Sequence, residues 1–314
     1  MKRVLVTGGA GFIGSHTVDA LLAQGMQVVV FDNLVTGKLS NLNLFHENIR
    51  CVQGDVLDYA LLRAEMSRCD AVLHLAAFVS VPKSIEDPIQ SFQVNMLGFL
   101  NVLQAIREIN KPIRLVHASS AAVYGNALKL PCSDESLLSE EALSPYALQK
   151  ADNERYADLF ARLYGIKSLA LRYFNVYGPR QDPHSPYSGV IAKFIERYQG
   201  HKDIAIFGDG QQSRDFIYVS DVARANVLAL QSDYCGVLNI ATGVAETLHN
   251  LVNYIELVGG QPAILDFAAP RAGDVPASYA TVNKARECLA FQSTVNLEQG
   301  MRLLMAETVK NQVS

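Results

Sequence analysis

In the stretch SPYALQK, Ser144 to Lys150, a tyrosine and a lysine stand four residues apart. Ser144 can cap a helix by accepting a backbone N–H, and Pro145 suits the first helical position, where its missing N–H costs nothing. On such a helix Tyr146 and Lys150 share a face. A phenol has a pKa of about 10, and a neighbouring ammonium favours its ionised form, so this pair could take and return a proton near neutrality. The spacing alone is weak evidence, because Tyr198 and Lys202 repeat it around Gly200 and carry no function in this reading.

Two further stretches bear on the choice between an acid–base pair and two ordinary helix residues. LVHASSAAVYG runs from a strand-like segment into Ser119 and Ser120, at the carboxyl end where open α/β sheets bind ligands. RVLVTGGAGFIGSH carries a strand (3–7) into Gly8, Gly9, Gly11 and Gly14 and then into a helix. Glycines there permit the tight turn and let backbone N–H groups of the loop and helix start (Phe12, Ile13) approach a pyrophosphate. Asp32 ends the second strand, VVVFDN, about 20 residues on, where a carboxylate accepts from both ribose hydroxyls and repels a 2′-phosphate. That favours NAD over NADP. Asp55, in CVQGDVLD, is either an acceptor for the adenine amino group or a turn carboxylate.

These residues need a scaffold, and the chain provides one. The segments 4–6, 28–31, 71–75, 115–118 and 169–173 are nearly continuous apolar runs, as strands buried on both faces are. Helical periodicity over 15–24 and 94–109 separates them, which implies an α/β fold with a doubly wound, Rossmann-like parallel sheet. After Arg172 Pro and Gly become frequent and turns such as FGDGQQ break up the elements. The expectation is a first domain over 1–171 and a smaller α/β substrate domain over 172–314, some of whose segments return to the first.

Composition narrows the function classes. Hydrophobic residues make up 49% of the 314, enough for a buried core, and the net charge of −4 argues against a general nucleic-acid binder. No run of about 20 apolar residues is present, so no membrane span is expected, and the start of the chain is too short in apolar residues for a secretory leader. Five scattered cysteines without a Cys-x-x-Cys, and histidines without ligand spacing, indicate neither a disulfide framework nor a metal site. A cytoplasmic enzyme with reduced cysteines is expected.

With Ser120, Tyr146 and Lys150 in this order after the glycine loop, the chain resembles the extended short-chain dehydrogenase/reductase family, and more narrowly its NAD-dependent sugar-nucleotide 4-epimerases. TGGAGFIG, HLAA, SSAAVYG, SPYALQK, RYFNVYGPRQDP and SRDFIYVSDV carry the resemblance, which covers essentially the whole chain. It implies that Tyr146 removes the proton of the sugar 4′-hydroxyl, that Lys150 supports the phenolate and holds the nicotinamide ribose, and that Ser120 bonds the reacting oxygen. The 4-keto sugar so formed rotates and is reduced on its other face, so NAD stays bound. The resemblance further assigns Asn33, Val56, Ala76, Ala77, Asn95 and Tyr173 to the cofactor side; for Asn95 helix capping is an equal reading. Dehydratases of the family carry an Asp-Glu pair after the serine, and decarboxylases a Glu before Val-Tyr-Gly. Ala121 and Ala122 stand at those places and cannot move protons.

On the substrate side the resemblance implies a UDP-sugar. Asn175 would meet a phosphate or sugar oxygen, Arg214 and Arg271 would clamp the diphosphate, with Asp274 beside them, and Ala205 and Phe207 would hold the uracil. Ser278, in GDVPASYAT, matches a sugar-pocket position that is a tyrosine in members restricted to glucose and galactose, and small where N-acetylated sugars are accepted. Gly189 appears at another wall and is also small; both could instead be turn residues. Ser80 and Lys83 lie in a segment after the fourth strand read as loop, either lining the sugar site or solvated. The expectation is interconversion of UDP-GlcNAc and UDP-GalNAc, with UDP-glucose and UDP-galactose turned over less well. A uronic-acid 4-epimerase and a non-catalytic NAD-binding sensor are the alternatives. Family dimer helices match 94–109 and 146–164, implying a homodimer, although their apolar residues could equally be core.

Overall fold

A computed structural model describes residues 2–127, 129–136, 142–183, 189–270 and 275–313, with side chains up to residue 306. Arg271 and Asp274 lie outside the described residues. Six strands, β1 (Arg3–Thr7), β2 (Gln27–Asp32), β3 (Ile49–Gln53), β4 (Ala71–His74), β5 (Arg114–Ser120) and β6 (Ser168–Tyr173), join the strand Gly236–Ile240 in one seven-stranded sheet. Its order is Gly236–Ile240, β6, β5, β4, β1, β2, β3, with every neighbouring pair parallel. The winding reverses between β1 and β4, and the crevice at the carboxyl ends there is where such sheets take ligands.

The apolar runs form central strands because both faces are covered. Val4, Val6, Val28, Val30, Val116 and Leu171 pack on one face, against the helices Phe12–Ala23 and Val219–Gln231. Leu5, Val29, Phe31, Val72 and Leu115 pack on the other, with Phe99, Val102 and Leu103 of the helix Gly98–Ile109. β3 does not read as an apolar run, because this edge strand leaves Arg50, Cys51 and Gln53 exposed.

The smaller part of the molecule has its own core, including Ile191, Phe194, Ile204, Ile206, Leu251, Ile255 and Met301. Its strands are short: Ile204–Phe207 pairs with Leu265–Ala268, and Ser213–Arg214 lies between Glu246–Thr247 and Ala277–Ser278. Among the described residues no helix is long and apolar enough to cross a membrane, and no cluster of His, Cys, Asp or Glu could hold a metal ion.

Candidate active site

The glycine loop leaves β1 at its carboxyl end and opens the helix Phe12–Ala23. Gly8 adopts φ +68°, and a Cβ there would lie 2.8 Å from the backbone nitrogen of Ala76, so only glycine lets β1 turn this close to the segment after β4. A Cβ on Gly14 would sit 2.1 Å from the Gly8 carbonyl oxygen. Gly11 caps the helix with no side chain, so the first helical N–H groups, at Phe12 and Ile13, are left for a ligand.

Asp32, at the end of β2, is buried; its Oδ2 accepts from Ala10 N at 3.0 Å and its Oδ1 from Leu34 N at 2.8 Å. Each oxygen retains a lone pair for a ribose hydroxyl. Asp55 accepts from Asn33 Nδ2 (2.8 Å) and from Leu57 N (2.9 Å), which ties the two residues together. Val56 is buried beside them. This cradle, with bare helix N–H groups and a carboxylate one strand over, fits a dinucleotide with a free ribose 2′-hydroxyl.

Ser144, Tyr146 and Lys150 stand as the local sequence predicts. The helix Pro145–Tyr164 starts with Ser144 accepting from Ala147 N (3.1 Å) and Pro145 in its first turn. Tyr146 and Lys150 are both buried, with Lys150 Nζ 5.9 Å from the Tyr146 ring centre. Lys150 Nζ donates to the Ala118 carbonyl at 2.9 Å, which fixes it against β5. Ser120 ends β5 and accepts from Ala122 N (3.2 Å). It is also hydrogen-bonded to the Tyr146 phenol.

The electrostatics differ from the expectation in one respect. Burial raises the Tyr146 pKa and the Ser120 hydrogen bond only partly opposes it. Burial also pushes Lys150 down to about 8, against the charge of Glu154, which holds it up. The ammonium alone therefore does not bring the phenol toward neutrality in this protein without ligands, because desolvation outweighs a charge that the ring sees from nearly 6 Å.

Asn95 does not cap a helix. It sits in a π-helical turn, Gln93–Leu97, between the helices Pro88–Phe92 and Gly98–Ile109. The wider turn directs its buried amide inward, where Oδ1 accepts from Phe78 N (2.8 Å) and Nδ2 donates to Gln149 Oε1 (2.8 Å). It thereby holds the Ala76–Ala77–Phe78 segment against the tyrosine helix.

Lys83 does not lie in a loop, and Ser80 ends the loop that follows β4. Ser80 caps the short helix Val81–Glu86 by accepting from Lys83 N (3.2 Å), with proline in the first turn. Tyr173 turns its hydroxyl to Asn226 Oδ1 (2.6 Å) inside the core, which leaves only its backbone to the crevice.

Asp215 organises the substrate side. Its buried carboxylate accepts from Thr242 N (2.8 Å), Thr242 Oγ1 (2.6 Å) and Gly243 N (2.9 Å). Its backbone N donates to the Ser278 carbonyl (2.9 Å), and its own carbonyl accepts from Asn175 N and Nδ2 (3.0 and 3.2 Å). Asn175, Arg214 and Ser278 are therefore brought together around one buried acid. Ala205 and Phe207 alternate with the buried Ile204 and Ile206, so both present themselves on the half-open face of their strand. Gly189 is the residue before the helix Val190–Gln199.

Sequence reasoning missed Asp215, Glu154 and Arg172. Asp215 and Arg172 stand inside quoted motifs, next to the residues singled out. A charged residue between apolar ones, as Arg172 is in LRYF, is a signal of a paired buried charge, whereas Asp215 follows Arg214 and carries no such signal.

The parallel sheet with its glycine cradle, and the serine–tyrosine–lysine group on the ends of β5 and the following helix, define a Rossmann-like dinucleotide-dependent enzyme fold. The chain belongs to the NAD dependent epimerase/dehydratase family, whose model matches residues 4–241. It is 37% identical over 305 residues to the UDP-glucose 4-epimerase of Mycolicibacterium smegmatis, covering 95% of this chain and 96% of that protein. It is 32% identical over 312 residues to the UDP-glucuronate 4-epimerase of Thermodesulfobacterium geofontis, covering 96% and 94%. Among solved structures, the UDP-N-acetylglucosamine 4-epimerase from Methanobrevibacter ruminantium, in complex with UDP-N-acetylmuramic acid, superposes with a TM-score of 0.94 at 39% identity, covering 99% of each chain.

Proposed function

We propose that the protein is an NAD-dependent UDP-sugar 4-epimerase whose preferred pair is UDP-GlcNAc and UDP-GalNAc, with UDP-glucose and UDP-galactose as slower substrates. Bound NAD supplies a hydride acceptor and donor. Gly8, Gly11, Phe12, Ile13 and Gly14 would hold its pyrophosphate, with Asp32 and Asn33 at the adenosine ribose, Asp55 and Val56 at the adenine, and Ala76, Ala77 and Tyr173 lining the nicotinamide side. Tyr146 takes the proton from the 4′-hydroxyl and returns it, Ser120 holds the reacting oxygen, and Lys150 orders the ribose and lends positive charge. Asn95 keeps this group in register. Asn175, Arg214, Arg271 and Asp274 would meet the diphosphate and sugar, Ala205 and Phe207 the uracil, and Ser80, Lys83, Gly189 and Ser278 the sugar walls.

The absence of a carboxylic acid at Ala121 and Ala122 supports epimerisation over water or CO₂ loss. The observation that carries the sugar preference is Ser278: a small side chain next to Arg214 leaves room for an acetamido group. The similarity to an epimerase of that name agrees with it. Incubating the purified protein with UDP-GlcNAc, without added NAD, should yield UDP-GalNAc. Activity confined to UDP-glucose would overturn the pocket argument, and silence on every UDP-sugar would favour a sensor.

A uronic-acid reading has the similarity to the UDP-glucuronate 4-epimerase on its side, and turnover of UDP-glucuronate alone would establish it. Leu148, Tyr156, Leu159 and Leu163 form an exposed stripe on the tyrosine helix, and Phe92 and Leu97 are exposed on segments that pack against that helix. An apolar face of that kind suits a second copy of the chain.

A further inference from the structure

One turn beyond Lys150 the helix carries Glu154, buried and fully paired. Its Oε1 accepts from Ser119 Oγ (2.5 Å) and Arg172 Nε (2.9 Å), and its Oε2 from Arg172 Nη2 (2.6 Å). Ser119 is the neighbour of Ser120 on β5, and Arg172 is its register partner on β6. Glu154 thus clamps the tyrosine helix to both strands that end at the reacting group.

The clamp continues toward the substrate wall. Arg172 Nη1 donates to the Tyr124 hydroxyl (2.7 Å), which donates to Asn239 Oδ1 (2.7 Å). Asn239 Nδ2 donates to the Cys132 carbonyl (3.1 Å), and Cys132 bridges to Tyr279 and Thr281, just past Ser278. A buried ion pair this far from solvent is weak evidence of stabilisation in itself, so its placement calls for another role.

The charges facing Lys150 are few. Glu154 and Tyr146 lie on its own helix. From β4 and β5 come the register partners His74 and His117, both packed against Phe99. Both are buried and held neutral, His117 at about 3, by burial and by the Lys150 charge itself. Glu154 is therefore the single negative group among those named.

We propose that Glu154, anchored by Ser119 and Arg172, is a positioning residue for the Tyr146–Lys150 pair, supplying the counter-charge that keeps the buried Lys150 ammonium protonated and in place. The inference rests on the epimerase reading for its kinetic consequence, but its electrostatic consequence can be read independently.

The test uses the full chain with its cofactor and compares the parent with Glu154→Gln, which keeps one acceptor oxygen for Arg172 and removes the charge. The Lys150 side chain is followed by ¹³Cε NMR against pH, and kcat and KM are followed on UDP-GlcNAc and UDP-glucose. The parent Lys150 should titrate at about 8. In Glu154→Gln the midpoint should fall by about one pH unit. The alkaline limb of kcat should move with it, giving a roughly threefold loss at pH 7.5 that approaches tenfold by about pH 9, with KM within about twofold. Glu154→Asp should restore most of the midpoint and rate. If Glu154→Gln does not fold, Glu154→Asp is read alone, and a smaller shift in the same direction is expected from its withdrawn carboxylate. Titration curves and kcat profiles that coincide with the parent's in the folded variant overturn the proposal. A parent inert on every UDP-sugar, with the NMR shift intact, overturns the epimerase reading and leaves the positioning role standing.

Discussion

Ser278 lies beside Arg214: the two are register partners in a parallel pair of short strands, and the residue after Arg214, Asp215, donates its N–H to the Ser278 carbonyl at 2.9 Å. The position proposed to set the width of the sugar pocket is thus locked to a diphosphate-clamp candidate by backbone geometry. Ser278→Tyr should lower kcat/KM for UDP-GlcNAc by about 100-fold or more while leaving UDP-glucose within about threefold. Equal losses on both sugars in steady-state assays would count against the pocket argument.

Tyr146→Phe removes the atom proposed to transfer the proton and keeps the ring. Its kcat should fall by about 10³-fold or more, with melting temperature and bound NAD close to the parent's. Residual activity within tenfold of the parent would place the base elsewhere.

Lys150 carries an opposite signature. Its folded pKa, about 8, lies below the 10.5 of a free lysine. Between those values the unfolded chain binds more protons, so this group makes the protein more stable as pH rises from about 8 to 10.5, and below 8 the buried ammonium is a constant cost. Lys150→Met should therefore stabilise the protein at pH 7, by about 1–2 kcal/mol, while removing activity. It should also flatten the pH dependence of urea unfolding across that window. A lower midpoint at pH 7 would contradict this.

Gly8→Ala places a methyl group against the Ala76 backbone at a left-handed φ. The variant should lose about 1–3 kcal/mol of stability and most of its co-purifying NAD, read by denaturation and by absorbance of the released nucleotide. Retention of full NAD content would show that the loop can turn without glycine.

Leu159→Glu with Leu163→Glu puts two charges on the exposed stripe of the tyrosine helix. The proposed homodimer should dissociate at micromolar concentration in light scattering, with the monomer still folded by circular dichroism. A parent that is already monomeric would remove that interface from consideration.

Much of this was legible in the chain because it rests on local rules. The glycine loop, the buried apolar strands and the Ser-Pro helix start each declare themselves within a dozen residues. β3 did not, since an edge strand with Arg50, Cys51 and Gln53 exposed has no apolar run to read. For Asn95 the sequence leaves capping and support of the site open, because a π-turn inside a helix changes no residue preference, only the direction of one amide. Lys83 reads as loop because a six-residue helix is too short for periodicity to show. Glu154, Arg172 and Asp215 act through side-chain partners 18 to 48 residues away, and no spacing rule reaches that far.

The sheet is finished late in synthesis. β6 gains its outer neighbour only when residues 236–240 have been made, and the helix Phe12–Ala23 is covered only once Val219–Gln231 follows. A chain released at residue 171 would end inside β6, leaving a truncated, bare sheet edge and an uncovered apolar helix face. The cradle near the amino terminus thus waits on the last third of the molecule, and splitting the gene at the apparent boundary should give two aggregating fragments that recover a fold only when expressed together.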